Sequence, residues 1–152
     1  MKYNKKKILI FIPAYNVEKE ISSVFKRIPK GIFKKDNIYI LVINDCSTDK
    51  TKNKLEKIKK SFKFNILDNK INIGYGGVQK KAYRYAIKKN FDYVIMLHGD
   101  GQYTPKKLPK FIYELKNSDY EAVFGTRMWS SYSAIKGGMP MYKYLGNVFL
   151  TA

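Results

Sequence analysis

Five short apolar runs, separated by segments with helical periodicity, constrain the fold more than any other feature of this sequence. The runs are residues 8–12, 38–43, 64–67, 93–97 and 122–124. Continuous apolar runs of this length are typical of strands buried on both faces of a parallel sheet. The segments between them place apolar residues at i, i+3, i+4 and i+7. The clearest examples are Ile21, Val24, Phe25 and Ile28, and later Leu108, Phe111, Ile112 and Leu115.

This alternation predicts the order β-α-β-α-β-α-β-α-β and an α/β fold with a mainly parallel sheet and helices on both faces. Two further helices are predicted between the runs, one from Val78, Ala82, Tyr85 and Ala86 and a shorter one from Leu55 and Ile58. Two helix starts are also indicated: Thr104 with Pro105 forms an N-cap followed by a first-turn proline, and Ser47 can cap the helix after the second strand.

Length and composition favour one folded domain over residues 1–152. The chain has 152 residues, and 45% of them are hydrophobic, which excludes a disordered tail. No apolar run approaches the roughly 20 residues that a membrane-spanning helix needs. The single cysteine, Cys46, cannot form an internal disulfide, so a reducing, cytoplasmic location is expected.

The net charge of +18 comes from 30 basic and 12 acidic residues, and the basic residues are mostly lysines spread over every segment. Two interpretations stay open: a lysine-rich solvated surface, or attraction to the anionic face of a membrane. Nucleic-acid binding is disfavoured, because no recognised nucleic-acid module is present.

Polar and glycine-rich segments follow the first four apolar runs. In parallel sheets the ligand lies outside the carboxyl ends of the strands, so these loops are where chemistry is expected. They are Pro13-Ala14-Tyr15-Asn16, Asn44-Asp45-Cys46-Ser47-Thr48-Asp49, Asn72-Ile73-Gly74-Tyr75-Gly76-Gly77 and His98-Gly99-Asp100-Gly101-Gln102.

The fourth loop places Asp100 between two glycines directly after a buried strand. One carboxylate together with diphosphate oxygens and water can hold a hard divalent cation, so Asp100 is a candidate metal ligand. The alternative is a turn aspartate. His98 is a candidate second ligand, or a buried histidine satisfied by the backbone.

The second and third loops offer binding groups of another kind. Asp45 could accept hydrogen bonds from a base or a ribose, or form a purely structural Asx turn. The glycines of the third loop open a helix whose amides could hold an anion, although glycine clusters also serve simply as turns. The first loop has no glycine, which argues against a nicotinamide dehydrogenase.

Taken in order, the four motifs, with Glu18 after the first, resemble those of the family-2 inverting glycosyltransferases, in the branch that includes dolichol- and polyprenyl-phosphate sugar transferases. The resemblance runs from Ile8 to the end and includes Gly137-Gly138-Met139-Pro140. It implies a Rossmann-like GT-A fold, a UDP- or GDP-sugar donor, a Mg²⁺ or Mn²⁺ ion, inversion at the sugar and a role in cell-envelope glycan biosynthesis. A polyprenyl phosphate at the cytoplasmic membrane face is the implied acceptor.

The resemblance also assigns residues. It implies that the Pro13, Ala14 and Tyr15 backbone and Asp45 hold the nucleoside, that Asn72, Gly74 and Gly77 shape the phosphate and ribose side, and that Asp100 binds the metal and diphosphate and is the catalytic residue. Glu18 and Asn44 are also expected among the donor-binding residues. The chain departs from the family pattern at His98 and Asn44, where aspartates are usual, which leaves metal affinity open. Lys80 and Arg84, one turn apart on the third predicted helix, either face the diphosphate or are solvent-exposed.

The final segment, residues 127–152, contains no Asp or Glu and ends inside the apolar pattern of a helix predicted from Pro140. Because the family's acceptor side lies in this later region, we expect the chain to bind nucleotide-sugar, to turn it over poorly, and to associate with a partner or with itself through its apolar end. The alternatives are a non-catalytic nucleotide-sugar-binding protein, a sugar-phosphate nucleotidyltransferase, which would need a glycine- and arginine-rich first loop, and a basic nucleic-acid-binding protein.

Overall fold

The fold was obtained as a computed structural model that describes residues 6–125 together with Met141, Tyr142, Gly146 and Phe149. The strands are β1 (Ile8–Ala14), β2 (Ile38–Asn44), β3 (Asn65–Asp68) and β4 (Tyr93–Met96). The helices are α1 (Ile21–Arg27), α2 (Lys30–Phe33), α3 (Thr51–Lys59), α4 (Gly74–Lys88) and α5 (Leu108–Asn117), with a 3₁₀ helix (Pro105–Lys107) leading into α5.

The four strands form one parallel sheet in the order β3-β2-β1-β4. In the register, Ile10 of β1 lies opposite Ile40 of β2 on one side and Ile95 of β4 on the other. All five residues at 8–12 are buried, although alternate side chains of a strand point to opposite faces. The predicted parallel sheet, covered on both faces, is therefore confirmed.

Helix α4 covers one face of the sheet. Its buried residues Val78, Ala82 and Ala86 pack in one cluster with Leu9 and Phe11 of β1. On the other face, Ile12 of β1 and Ile21 of α1 both approach Gly99, and α1 also contacts α3. Right-handed crossovers explain this division, because the chain runs from β1 to β3 in one direction and then returns across the sheet to β4.

Two sequence-based expectations about elements are corrected, and one helix was not predicted. Residues 122–124 do not form the predicted fifth strand: they are irregular, and Phe124 is 91% exposed. Three apolar residues carry no strand without a paired neighbour. Ser47 does not cap α3, which begins four residues later, because its hydroxyl donates to the Asn44 side chain instead. The short helix α2, which buries Ile32, was not predicted.

Contacts divide the chain into two units, Met1–Asp119 and Tyr120–Ala152, and the sheet lies in the first. The interpretation of residues 1–152 as one domain stays a prediction. In the second unit Met141, Tyr142, Gly146 and Phe149 are helical, as expected for the predicted last helix. Pro140 and the predicted motif at 137–140 lie outside the described residues. Among the helices that the structure describes, none is long and apolar enough to cross a membrane.

Candidate functional site

The loops after β1 and β4 meet at the topological switch point of the sheet, where the chain connections on the two sides of β1 run in opposite directions. In open α/β sheets the ligand crevice lies at this point. Gly99 packs so closely on the end of β1 that an added methyl group would lie 2.7 Å from the Pro13 carbonyl oxygen. Gly101 has a φ of +75°, and a methyl group there would lie 2.6 Å from the Arg27 guanidinium. Two glycines therefore determine how Asp100 is presented.

The Asp100 carboxylate is partly exposed at this edge. Its Oδ1 accepts a hydrogen bond from the Gln102 N–H at 3.0 Å, as in an Asx turn. It accepts no other hydrogen bond from the residues that the structure describes, so none of them occupies Oδ2. No group of three or more His, Cys, Asp or Glu side chains suited to a metal occurs among the described residues. The donor set therefore fits a hard cation only if phosphate oxygens and water supply most of its ligands.

Asn16 joins the first loop to the second. Its backbone N–H donates to the Ser47 hydroxyl at 3.1 Å, and its side-chain oxygen accepts from the Thr48 N–H at 2.9 Å. Asn16 has a φ of +51°, a left-handed conformation that asparagine tolerates better than most residues. Asn16 therefore accommodates the left-handed backbone conformation and links the first loop to the second by hydrogen bonds.

Two carboxylates complete this connection between loops. Glu18 accepts a hydrogen bond from the Lys50 N–H at 2.7 Å, while Asp49 accepts one from the Glu18 N–H at 3.1 Å and one from the Thr51 N–H at 2.9 Å. Burial would raise the pKa of Asp49, but the hydrogen bonds from Thr51 and Glu18 outweigh it and lower that pKa. The buried Thr51 hydroxyl accepts from the Val17 N–H at 2.8 Å. Glu18 thus links the two loops, and its predicted contact with the donor stays a prediction.

Asp45 joins the second loop to the third. Its side chain is 3% exposed, and its carboxylate accepts hydrogen bonds from Asn69 Nδ2 at 2.7 Å, the Ile73 N–H at 3.0 Å and the Gly74 N–H at 2.9 Å. The residue does not form an Asx turn of its own loop, which was the structural alternative. Contact between Asp45 and a nucleoside stays a prediction.

Asn44 joins β2 to β3. Its amide Nδ2 donates to Asp68 at 2.8 Å, and its Oδ1 accepts from the Ser47 hydroxyl at 2.5 Å. Lys52 lies 3.0 Å from the Asp68 carboxylate. Burial acts to raise the pKa of Asp68, but the contacts with Asn44 and Lys52 prevail and lower it. An aspartate at position 44 would place two carboxylates against each other, which explains why the amide stands here.

The third loop is fixed by its own contacts as well. Asn72 accepts a hydrogen bond from the Gly74 N–H at 2.9 Å, and Gly74, which starts α4, has a φ of +73°. A methyl group at Gly77 would lie 3.0 Å from the Ile73 side chain. Because the Gly74 amide already donates to Asp45 and Asn72, it is not free to hold an anion.

His98 lies between two tyrosine rings. The Tyr75 hydroxyl is 3.3 Å from His98 Nε2, with ring centroids 5.7 Å apart, and the Tyr103 centroid is 4.7 Å from that of His98. His98 is partly buried. Neither Tyr75 nor Tyr103 was among the site residues predicted from the sequence. For Tyr75 the sequence did carry a signal of a site residue: an aromatic residue within a glycine-rich polar loop, where no hydrophobic core is expected.

The remaining candidates differ in exposure. Ala14 is buried, and its carbonyl accepts from the Asp45 N–H at 2.9 Å, whereas Tyr15 is 50% exposed at the same edge. Lys80 and Arg84 are exposed on the side of α4 opposite its buried residues. This position agrees with the solvent-exposed alternative, and contact with a diphosphate stays a prediction.

Comparison with known proteins gives one family. Residues 9–144 match the profile of glycosyl transferase family 2. The chain is 28% identical over 159 residues to the UDP-N-acetylglucosamine–dolichyl-phosphate N-acetylglucosaminyltransferase of Methanococcus voltae, covering 96% of this chain and 61% of that protein. It is 25% identical over 143 residues to the dolichol-phosphate mannosyltransferase of Pyrococcus furiosus, covering 91% of this chain and 38% of that protein.

A solved structure shares the fold. Staphylococcus aureus TarS 1–349, crystallised in complex with UDP, superposes with a TM-score of 0.54 at 19% identity, covering 82% of this chain and 40% of that one. The likeness confirms the predicted Rossmann-like GT-A fold class. The chain spans between 38% and 61% of the length of the two curated relatives above, so their whole activities are not transferred to it as findings.

We predict that Thr51→Val will lower the free energy of unfolding by about 1–3 kcal/mol, because the buried Val17 N–H loses its acceptor. Urea unfolding at pH 7 measures this. Thr51→Ser is the matched control, since it keeps the hydroxyl, and it should recover most of the loss. Equal destabilisation by serine would show that the methyl group, and not the hydrogen bond, matters.

We also predict that Asn44→Asp will destabilise the protein at pH 7 by at least about 1 kcal/mol, since the Asp68 carboxylate then faces another charge. In the wild type the lowered pKa of Asp68 contributes stability above its unfolded pKa, which is lost as pH falls through the folded value. The variant loses that contribution, so its deficit should shrink between pH 7 and pH 3. Adding Asp68→Asn restores an amide–carboxylate pair and should rescue stability. A deficit independent of pH would contradict the charge explanation.

Proposed function

Because the chain belongs to glycosyl transferase family 2, as its motifs predicted, we propose that it binds a nucleoside-diphosphate-sugar and transfers the sugar, with inversion, to a polyprenyl phosphate. One observation carries this proposal: the Asp100 carboxylate lies at the switch point of a parallel sheet, and one of its oxygens accepts no hydrogen bond from a described residue. That is where a diphosphate and its cation are bound in sheets of this kind.

The nucleoside is proposed to lie over the loops after β1 and β2. The Pro13, Ala14 and Tyr15 segment ends the central strand there, and the exposed Tyr15 offers an aromatic face and a hydroxyl. The hydrogen bonds of Asn16 and of the buried Asp45 hold this surface in one arrangement before ligand arrives, which lowers the entropic cost of binding. UDP- and GDP-sugars are both candidates, and UDP occupies the TarS neighbour.

A divalent cation, Mg²⁺ or Mn²⁺, is proposed to be held by Asp100 and the diphosphate. Such an ion would stabilise the negative charge that develops on the leaving nucleoside diphosphate. We favour Asp100 as the only protein ligand over a site that also includes His98. The reason is that His98 Nε2 already lies 3.3 Å from the Tyr75 hydroxyl. The Gln102 N–H and the two flanking glycines hold the Asp100 carboxylate in position.

In the proposed reaction an acceptor oxygen attacks the anomeric carbon from the side opposite the diphosphate. The bond from that carbon to the phosphate oxygen breaks, and its electron pair leaves with the nucleoside diphosphate, so the sugar is inverted. A lipid phosphate is ionised at neutral pH and needs no strong general base to act as the nucleophile. The names of the relatives from Methanococcus and Pyrococcus, both acting on dolichol-type phosphates, support this acceptor class. A cytoplasmic location with peripheral membrane contact is part of the same proposal.

A second candidate is a nucleotide-sugar-binding protein that does not catalyse transfer. The observation that favours it is the environment of His98, which stands among tyrosine rings where an aspartate is usual in the family. Product formation from radiolabelled donor and a polyprenyl phosphate separates the two candidates. Binding without acceptor-dependent transfer would support the second.

We predict that Asp100→Asn will abolish Mn²⁺-dependent binding of UDP-N-acetylglucosamine or GDP-mannose, because the neutral amide is a much weaker ligand for a hard cation. The amide oxygen can still accept from the Gln102 N–H, so the thermal unfolding midpoint should be unchanged. Titration calorimetry with and without Mn²⁺ measures the effect. Asp36→Asn, at an exposed position beyond the opposite end of the sheet, is the control. Unchanged affinity of Asp100→Asn in Mn²⁺ would contradict the assignment.

The net charge of +18 predicts adsorption to anionic liposomes that weakens with salt, since attraction between exposed charges is screened over about 8 Å at physiological ionic strength. Co-sedimentation with phosphatidylglycerol vesicles at low and high NaCl tests this. Phosphatidylcholine vesicles are the control. Equal binding to both, or binding that resists salt, would indicate an apolar contact instead.

A further inference from the structure

Lys81, two turns into α4, makes a contact that the groups described above do not explain. Its ammonium group donates a hydrogen bond to the Asn69 side-chain oxygen, and both side chains are partly buried. Asn69 in turn donates to the buried Asp45 carboxylate. We infer that Lys81 is a positioning residue for the nucleoside end of the site, and that it acts on Asp45 through Asn69. This inference rests on the proposed function.

The chemistry of the three groups fixes the direction of these hydrogen bonds. An ammonium group only donates and a carboxylate only accepts, whereas an asparagine amide does both. One orientation of the Asn69 amide therefore satisfies both neighbours, with Oδ1 toward Lys81 and with Nδ2 2.7 Å from Asp45 Oδ1. Without Lys81, the amide can turn over and place its oxygen against the carboxylate. Lys81 thus determines which group Asn69 presents to Asp45.

Helix geometry explains how a residue at this position reaches the loops. Side chains of an α-helix are tilted toward its N-terminus, and α4 begins at Gly74. Lys81 lies about 10 Å further along the helix axis, at a rise of 1.5 Å per residue, and its long, flexible stem reaches back along the helix. Its partner is held in place independently, because the Asn69 N–H donates to the Asn44 carbonyl oxygen at 2.8 Å.

The same helix is held to Asp45 at two points. At its start, the Gly74 N–H donates directly to Asp45 Oδ2 at 2.9 Å, and two turns later Lys81 is linked to Asp45 through Asn69. The Asp45 N–H also donates to the Ala14 carbonyl oxygen at 2.9 Å. A shift of Asp45 therefore disturbs the ends of the first two strands, where the nucleoside is proposed to lie.

The diphosphate is proposed to bind at a different place, beside Asp100. A residue that acts only through Asp45 should therefore change the affinity for a nucleotide and leave the affinity for a free diphosphate unchanged. A lysine whose charge acts directly on the phosphates would change both affinities. This difference separates a positioning role of Lys81 from direct contact with the ligand.

The test compares UDP and GDP with pyrophosphate, each titrated calorimetrically in Mn²⁺. We expect Lys81→Met, which keeps the stem and removes the donor, to weaken binding of the nucleotide that the wild type binds by about 3- to 10-fold. Binding of pyrophosphate should be unchanged. Lys81→Arg keeps a donor and should retain most of the nucleotide affinity. Lys88→Met, which removes an exposed lysine from the last turn of α4, is the matched control. Circular dichroism and thermal unfolding establish that each variant is folded.

A double-mutant cycle tests the route through Asn69. Asn69→Ala alone should weaken nucleotide binding, and adding Lys81→Met should then cost no further affinity, because the intermediate residue is already gone. Losses that add would show that Lys81 acts by another route. That result, an equal loss for pyrophosphate, or unchanged nucleotide affinity of Lys81→Met would each overturn the inference.

Hydrogen exchange in the ligand-free protein gives a measurement that needs no nucleotide. The Gly74 N–H should exchange faster in Lys81→Met than in the wild type, since its acceptor Asp45 is less well held. Unchanged exchange would contradict the inference and leave the proposed function intact. Failure of the wild type to bind either nucleotide would instead refute the proposed function, and with it the role of Lys81 in nucleoside binding.

Discussion

The buried Asp45 carboxylate holds together the polar edge on which the rest of the site depends. Its three hydrogen bonds come from Asn69, just after β3, and from the Ile73 and Gly74 N–H groups, so the start of α4 is fixed by a residue that follows β2. A carboxylate buried to this degree is stable only when its oxygens are satisfied, and here backbone N–H groups and an amide provide that. Because α4 also packs on the sheet through Val78, the same contact links the edge of the site to the hydrophobic core.

Most of the motif residues after the first two strands bind other loops. Asn16, Glu18, Asp49 and Asn44 each hold a partner from a different loop or strand. The physical reason is that parallel strands bring their carboxyl ends to one edge without connecting them, so the loops there need side chains to join them. Among the motif residues, Tyr15 and Asp100 are the clearest examples of side chains that solvent or a ligand can reach.

The sequence predicted the fold well where burial alone decides it. The apolar runs at 8–12 and 38–43 became β1 and β2, and the spacing of Val78, Ala82 and Ala86 identified the buried face of α4. It failed at 122–124, where hydrophobicity without a pairing partner does not make a strand. Asp100 at the sheet edge was predictable because its position follows from strand order. The roles of Asp45 and Glu18 were not, because their hydrogen bonds join residues about 30 positions apart and depend on the register of the sheet.

The departures from the family pattern at positions 44 and 98 are each explained by a neighbour. Asn44 supplies the hydrogen-bond donor that Asp68 requires, and an aspartate there would remove it. His98 supplies a ring between two tyrosines, which a carboxylate could not replace.

The close contact between Gly99 and the Pro13 carbonyl oxygen constrains the backbone of the fourth loop. Because no side chain fits between them, the path of the fourth loop is constrained at this point by backbone against backbone. Side chains at neighbouring positions of the loop can therefore be exchanged without removing the contact between Gly99 and the Pro13 carbonyl oxygen. A protein engineer could therefore vary position 98 and keep this backbone contact.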